Sequence, residues 1–178
     1  MYIRYTGGTA GNAKGVRRRQ DDFLVAALGV RAPDGSEIAH LVQLVEAARG
    51  RHLAALPAPP FVHGAAHWNA LSCWIGGGTV VVQDTTDRLD PADVLDTCER
   101  HQVSSLLVVG DAFARPLIDE QRRQPRDLTR PRFLLTGGAI FSPALRAEPT
   151  SPAPGPRILD LPGASDSGRS PGSHGGAA

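Results

Sequence analysis

The chain has 178 residues, 41% of them hydrophobic and 21% charged, with a net charge of +1, enough apolar material for the core of one ordinary domain. Its basic residues are scattered apart from the run Arg17, Arg18, Arg19, which gives no electrostatic footprint for nucleic acid. No uninterrupted apolar stretch has the length of a membrane helix, the N-terminus lacks a charged-then-apolar leader, and Cys73 and Cys98 have no metal-ligand spacing; the expectation is a soluble cytoplasmic protein without a transmembrane segment, its two thiols buried as small hydrophobes.

Tyr2 to Tyr5 reads as a short strand that leads into YTGGTAGNAKG, Tyr5 to Gly15. Glycine in such quantity costs backbone entropy on folding, and close approach of backbone amides to a ligand is one reason to accept that cost. Of the 19 basic residues 18 are arginine, and Lys14 is the only lysine. An ammonium on a flexible stem reaches phosphate oxygens in a loop where a planar guanidinium does not fit. The stretch reads as a triphosphate cradle.

The spacing of QDDFLVAAL predicts a helix over Gln20 to Leu28, closed by Gly29. SEIAHLVQLVEAAR predicts a second over Ser36 to Arg49, with Ser36 as its cap and Gly50 beyond its end. LPAPPFVHGAAHW is a Pro-rich approach to an apolar helix that runs to Ile75; Gly76 to Gly78 break it, and TVVVQ follows as a buried strand. Asp90 is placed to cap a helix with Pro91 in its first turn, running to about His101. VSSLLVV then reads as a strand, Asp111 to about Arg123 as a helix, and RFLLT as a strand running into Gly137 and Gly138.

This alternation predicts an α/β fold, a mostly parallel sheet flanked by helices. Ligands in such sheets sit at the carboxyl ends of strands, where the glycine clusters after Tyr5 and after Leu135 are expected to fall. From about Glu148 proline, glycine, serine and alanine dominate, and only RILDL reads as a strand. The core is therefore placed at 1–148, with 149–178 as a Pro/Gly/Ser-rich tail, expected to be mobile after Gly168.

The loop departs from the Walker pattern, since Ala13 and Gly15 flank Lys14, and it lacks the Gly-x-Gly-x-x-Gly turn of dinucleotide binders. It resembles the phosphate loop of the adenylate-forming family, the acyl-CoA synthetases and related AMP-binding ligases, usually written Tyr-Thr-(Ser/Gly)-Gly-Thr-Thr-Gly-x-Pro-Lys-Gly. Further segments keep the family's order: PPFVHGAAHW, then GGGTVVVQ with RLDPADVLDTCERHQVSSLLVVGDAFARPLID, then LLTGGAIFSPALR, and a remnant motif at 160–168, DLPGASDSG. The likeness is to the fatty acyl-CoA synthetase branch. It covers most of Met1 to Gly168 and matches a central piece of the family's large N-terminal domain.

The resemblance implies a two-step ligation in which a fatty acid attacks the α-phosphorus of ATP, pyrophosphate leaves, and the thiol of coenzyme A displaces AMP. It assigns Thr6, Gly7, Gly8, Thr9, Gly11 and Lys14 to the ATP phosphates, and Gly137, Gly138 and Ala139 to the adenine. Ser165 and Asp166 take the phosphate and Mg2+ places, and His63 and Trp68 line the acyl pocket. Ala10 replaces a family threonine, Ala13 a proline, Pro162 an aromatic and Asp166 a glutamate, while EPTSPAPGP stands in place of a helix. Beyond Gly168 no motif continues.

Read as residues alone, His63, His67, Trp68 and Trp74 are more common in cores than in sites, and Ser165 and Asp166 are as common in polar tails. Two readings besides a ligase stand at this point: a nucleotide-binding remnant without ligase activity, and an inactive truncated gene product.

Overall fold

The structure, a computed structural model, describes residues 1–6, 14–32, 34–50, 52–137, 139, 142–143, 145, 157–160, 163–164 and 168–169. Strand β1 (Tyr2–Thr6) pairs antiparallel with β2 (Lys14–Arg18), Thr6 opposite Lys14. The short α1 (Gln20–Asp22) passes directly into a π-helical turn, Phe23–Ala27, and the chain reverses at Gly29 with φ 66°. Then follow α2 (Leu41–Ala48), β3 (Ala54–Pro57), α3 (Gly64–Ile75), β4 (Thr79–Val80), α4 (Pro91–Arg100), β5 (Ser105–Val108), α5 (Gly110–Arg123), β6 (Phe133–Thr136) and β7 (Arg157–Asp160). A small ribbon of β8 (Gly163–Ala164) and β9 (Gly168–Arg169) comes last.

The expected parallel sheet is present, with strand order β4-β3-β5-β6-β7 and every pair parallel. AALP, SLLV and FLLT are short, nearly unbroken apolar runs, as strands covered on both faces require. From β3 the chain steps outward to β4, then returns past β3 to β5 and continues to β6 and β7, so its direction of winding reverses between β3 and β5. Right-handed crossovers place α3 on one face and α4 with α5 on the other. The side chains divide the same way. Leu56, Leu106 and Val108 pack with Val94, Leu95 and Cys98 of α4 and Ala114, Leu117 and Ile118 of α5, while Trp68 of α3 joins Phe23 and Leu28 in a second cluster.

Local signals account for the best-defined helix. The Asp90 carboxylate accepts from Asp93 N at 3.2 Å with Pro91 at the first position of α4. Asp90→Ala is expected to cost about 1 kcal/mol in a denaturant titration. Between α4 and α5 the Arg126 guanidinium, 4% exposed, donates from Nε to Asp96 at 2.7 Å and from Nη1 to Glu120 at 2.7 Å.

Four expectations change. The second helix starts at Leu41: Ser36 N and Oγ donate to Asp34 Oδ1, tying Ser36 into a turn, and His40 caps α2 instead, with Gln43 Oε1 accepting from His40 N at 3.1 Å. The Pro-rich approach to α3 begins with a strand, β3, at the centre of the winding reversal. β2 was not expected, and with it the glycine cluster after Tyr5 leaves the parallel sheet, since β1 belongs to a separate two-stranded ribbon. Trp74 is 57% exposed rather than core, whereas Cys73 and Cys98 are both buried as expected. Among the described residues no helix is long and apolar enough to cross a membrane.

Candidate functional site

The ribbon β1–β2 is held against α3 by side chains. The Trp68 indole N–H donates to Tyr2 Oη at 3.2 Å, and the same oxygen lies 3.4 Å from His67 Nδ1, which accepts from it in the neutral tautomer protonated on Nε2. The Tyr2 ring stacks on Phe23 with centroids 4.0 Å apart, and Phe23 meets Trp68 edge to face. Two residues along the strand, the Arg4 guanidinium lies 5.5 Å from the Trp68 ring centroid and fills the place a Cβ at Gly64 would take. Glycine at the first position of α3 leaves the space that the Arg4 guanidinium occupies.

These contacts orient the ribbon. Tyr2 sits beside residues 67 and 68 and Arg4 beside residue 64, so β1 runs antiparallel to α3, toward the helix N-terminus. That N-terminus follows β3 at the carboxyl edge of the sheet. The paired ends Thr6 and Lys14, from which the glycine loop springs, are therefore carried toward the carboxyl edge even though β1 is no member of the sheet. Gly7, Gly8, Thr9 and Gly11 lie outside the described residues, as do the side chains of Thr6 and Lys14.

Several polar groups gather at that edge. His63, exposed, precedes α3; Gln83, buried beyond β4, donates from Nε2 to Ala58 O at 2.9 Å; the Asp111 carboxylate beyond β5 accepts from Ser142 N at 2.8 Å. Thr136 ends β6, 2% exposed, and its hydroxyl has no hydrogen-bond partner among the described residues. Gly137, beside it, is also buried. Ala139 is exposed, and Gly138 lies outside the described residues.

Trp68 is buried with Phe23 and Leu28 and hydrogen-bonded to Tyr2, so its visible work is fastening the ribbon. Ser165 and Asp166 lie outside the described residues, as does Pro162. Among the described residues no group of three or more His, Cys, Asp or Glu side chains is placed to hold a metal. The role of Tyr2 was invisible in the sequence, because a lone tyrosine in a short strand carries no signal for a bond made to residues 67 and 68.

Burial, and then the charge of Arg4, hold the His67 imidazole below the ordinary histidine value. The unfolded chain therefore binds this proton more readily than the folded chain. The stabilisation is complete above about pH 6.5, the unperturbed histidine value, and is lost as pH falls below it. A thermal-unfolding series should show this acid loss in the parent chain and a reduced loss in His67→Gln.

Comparison with known proteins places this geometry. The model of the AMP-binding enzyme family matches residues 1–162. The chain is 36% identical over 172 residues to the medium-chain acyl-CoA ligase Mig of Mycobacterium avium, covering 94% of the chain and 31% of that protein. It is 31% identical over 176 residues to 3-oxocholest-4-en-26-oate–CoA ligase of Rhodococcus rhodochrous, with the same coverage of both. The chain thus spans about a third of the length of these curated relatives. Among solved structures, the N-terminal subdomain of Klebsiella oxytoca NpsA in complex with 3-hydroxybenzoyl-AMSN superposes with a TM-score of 0.70 at 18% identity, over 99% of this chain and 40% of that one. O-succinylbenzoate coenzyme A synthetase (MenE) of Bacillus subtilis, in complex with AMP, gives a TM-score of 0.63 at 21% identity over 92% of this chain and 29% of that one. The parallel sheet, the separate β1–β2 ribbon and the ordered motifs have one common explanation: the chain belongs to the AMP-binding enzyme family.

Proposed function

We propose that these residues form the phosphate-binding and part of the adenine-binding portion of an ATP-dependent acyl-CoA ligase. The observation that carries this reading is the ribbon: Thr6 and Lys14 pair as its last described rung, and the Tyr2 and Arg4 contacts carry that rung toward the edge where Thr136 and Gly137 lie. Amides of the loop, Thr6, Thr9 and Lys14 neutralise phosphate charge; Gly137, Gly138 and Ala139 leave room for a flat purine. This is catalysis by positioning and electrostatics. Bound Mg2+ supplies further charge neutralisation between phosphates, and Asp166, assisted by Ser165, is the carboxylate proposed to hold it.

His63 and Trp68 are the proposed borders of an acyl channel. The names of the relatives, a medium-chain acyl-CoA ligase and a ligase of a steroid acid, favour an apolar monocarboxylic acid as the first substrate and coenzyme A as the second. The reading treats residues 1–148 as part of an N-terminal AMP-binding domain and places the protein in the cytoplasm, where Cys73 and Cys98 stay reduced.

The 178 residues by themselves, about a third of the relatives' length, are proposed to bind nucleotide without completing the ligation. The test incubates the chain with ATP, magnesium, coenzyme A and fatty acids of several lengths, following pyrophosphate and thioester, beside a calorimetric titration with ATP. Micromolar to millimolar ATP affinity without thioester is the expected result. Thioester formation abolished by Lys14→Ala would make this stretch a complete enzyme, and absence of any nucleotide affinity would leave the inactive truncated product as the reading.

A further inference from the structure

We propose that the opposite, amino-terminal edge of the sheet carries a second anion site, built to take a diphosphate group. The segments leading into β3, β5 and β6 meet there around a cleft of about 510 Å³ lined by His52, Leu53, Gln102, Ser104, Arg130 and Arg132. Small-molecule sites run from about 300 to 1,000 Å³. The site stands independently of the ligase reading, because the strands separate it from Thr136 and Gly137.

One cation of this cleft, Arg130, is held by a neutral side chain. Gln102 is the only non-glycine residue with positive φ among the described residues, at 50°, a conformation that stores local strain. Its side chain is used at both ends: Nε2 donates to Glu99 O at 2.9 Å, and Oε1 accepts from Arg130 Nε at 3.2 Å. That leaves the terminal nitrogens of Arg130 directed by a neutral partner. Neither Arg130 nor Arg132 meets a carboxylate among the described residues. The acids of the neighbouring segments are engaged by backbone amides, Glu99 accepting from Asp127 N at 2.7 Å and Asp127 from Thr129 N at 3.0 Å.

The walls are fixed to the sheet. Arg132 N donates to Ser104 O at 2.9 Å, and Ser104 Oγ both accepts from Ala54 N and donates to Ala54 O, each at 3.0 Å. Between the two arginines stands Pro131, whose ring fixes the backbone φ of the segment that carries them. A guanidinium fork matches two oxygens of one phosphoryl group. Two forks with the His52 ring beside them match two linked phosphoryl groups better than one, and a concave wall selects a small ligand over an extended polyanion.

The experiment titrates inorganic pyrophosphate, and separately ADP, into the 178-residue chain and into its Lys14→Ala variant, reading the arginine Nε–H resonances by NMR. A saturable shift of the Arg130 Nε–H is expected in both proteins, accompanied by a shift of the Ser104 backbone amide in the same cleft; that amide survives in Arg130→Gln/Arg132→Gln and is expected to report affinity weakened at least tenfold, with the far-ultraviolet circular dichroism of each protein unchanged. Equal affinities for the two ligands assign the site to the diphosphate alone, and tighter ADP binding adds the nucleoside; both support the proposal. No saturation with either ligand, or undiminished affinity in the double variant, overturns it. Loss of ATP binding in Lys14→Ala with the Arg130 shift retained would separate this site from the glycine loop.

Discussion

Lys14→Ala is expected to weaken ATP binding about 10- to 100-fold, the worth of one charge-assisted phosphate contact of about 1.5 to 3 kcal/mol. Lys14 begins β2 opposite Thr6, so it stands where the loop rejoins the ribbon, with the strand pairing fixing its backbone. A flexible stem on a fixed base can deliver an ammonium to a phosphate without ordering much more chain. Lys14→Arg keeps the charge but brings a planar fork, and an intermediate loss is expected. Calorimetry with magnesium–ATP measures all three chains, and equal affinity in the parent and Lys14→Ala would remove the loop from the site. Tyr2 offers a control of a different kind, because Tyr2→Phe loosens the ribbon from α3 without touching the loop.

Arg126→Met is expected to lower stability by about 3 kcal/mol, equivalent to about 8 °C in midpoint for a chain of this size. The side chain is 4% exposed and holds Asp96 of α4 and Glu120 of α5. Its backbone closes a reciprocal pair with Gln121, whose Nε2 donates to Arg126 O at 2.9 Å while Oε1 accepts from Arg126 N at 3.1 Å. Methionine keeps much of the volume but strands the Glu120 carboxylate, leaving it only Arg123. Adding Glu120→Leu should recover part of the loss, since an uncompensated charge costs more than the pair contributes. Hydrogen bonds from Arg126, then from Arg123, hold the Glu120 carboxyl below its ordinary range. The folded chain thus releases this proton more readily than the unfolded one, giving stability that is present above the ordinary glutamate range and lost as pH falls. That acid-dependent part should shrink in Arg126→Met, as thermal melts at a series of pH values would show.

What the sequence determined by itself was whatever depends on neighbouring residues. Asp90 with Pro91 starts α4 and Gly29 closes the first helical turn because cap chemistry and positive φ are settled within a few residues. The loop motif was legible for the same reason, its glycines, threonines and lysine being contiguous, and the alternation of apolar runs with helical spacing was enough for a parallel α/β sheet.

Tertiary structure decided the rest. Ala54–Pro57 has little strand propensity and ends on proline, and it is a strand because β4 and β5 flank it and bury it. The strand before the glycine loop joins no parallel sheet for a related reason: Tyr2–Thr6 pairs with Lys14–Arg18, and the Tyr2 and Arg4 contacts hold that ribbon against α3. His52 and the Arg130–Arg132 segment, far apart in the chain, meet only because parallel strands start at one edge. Local preferences are set by a few dihedrals and adjacent side chains, whereas strand partners and the assembly of sites depend on which distant surfaces exclude water together, and that is known only when the whole chain has packed.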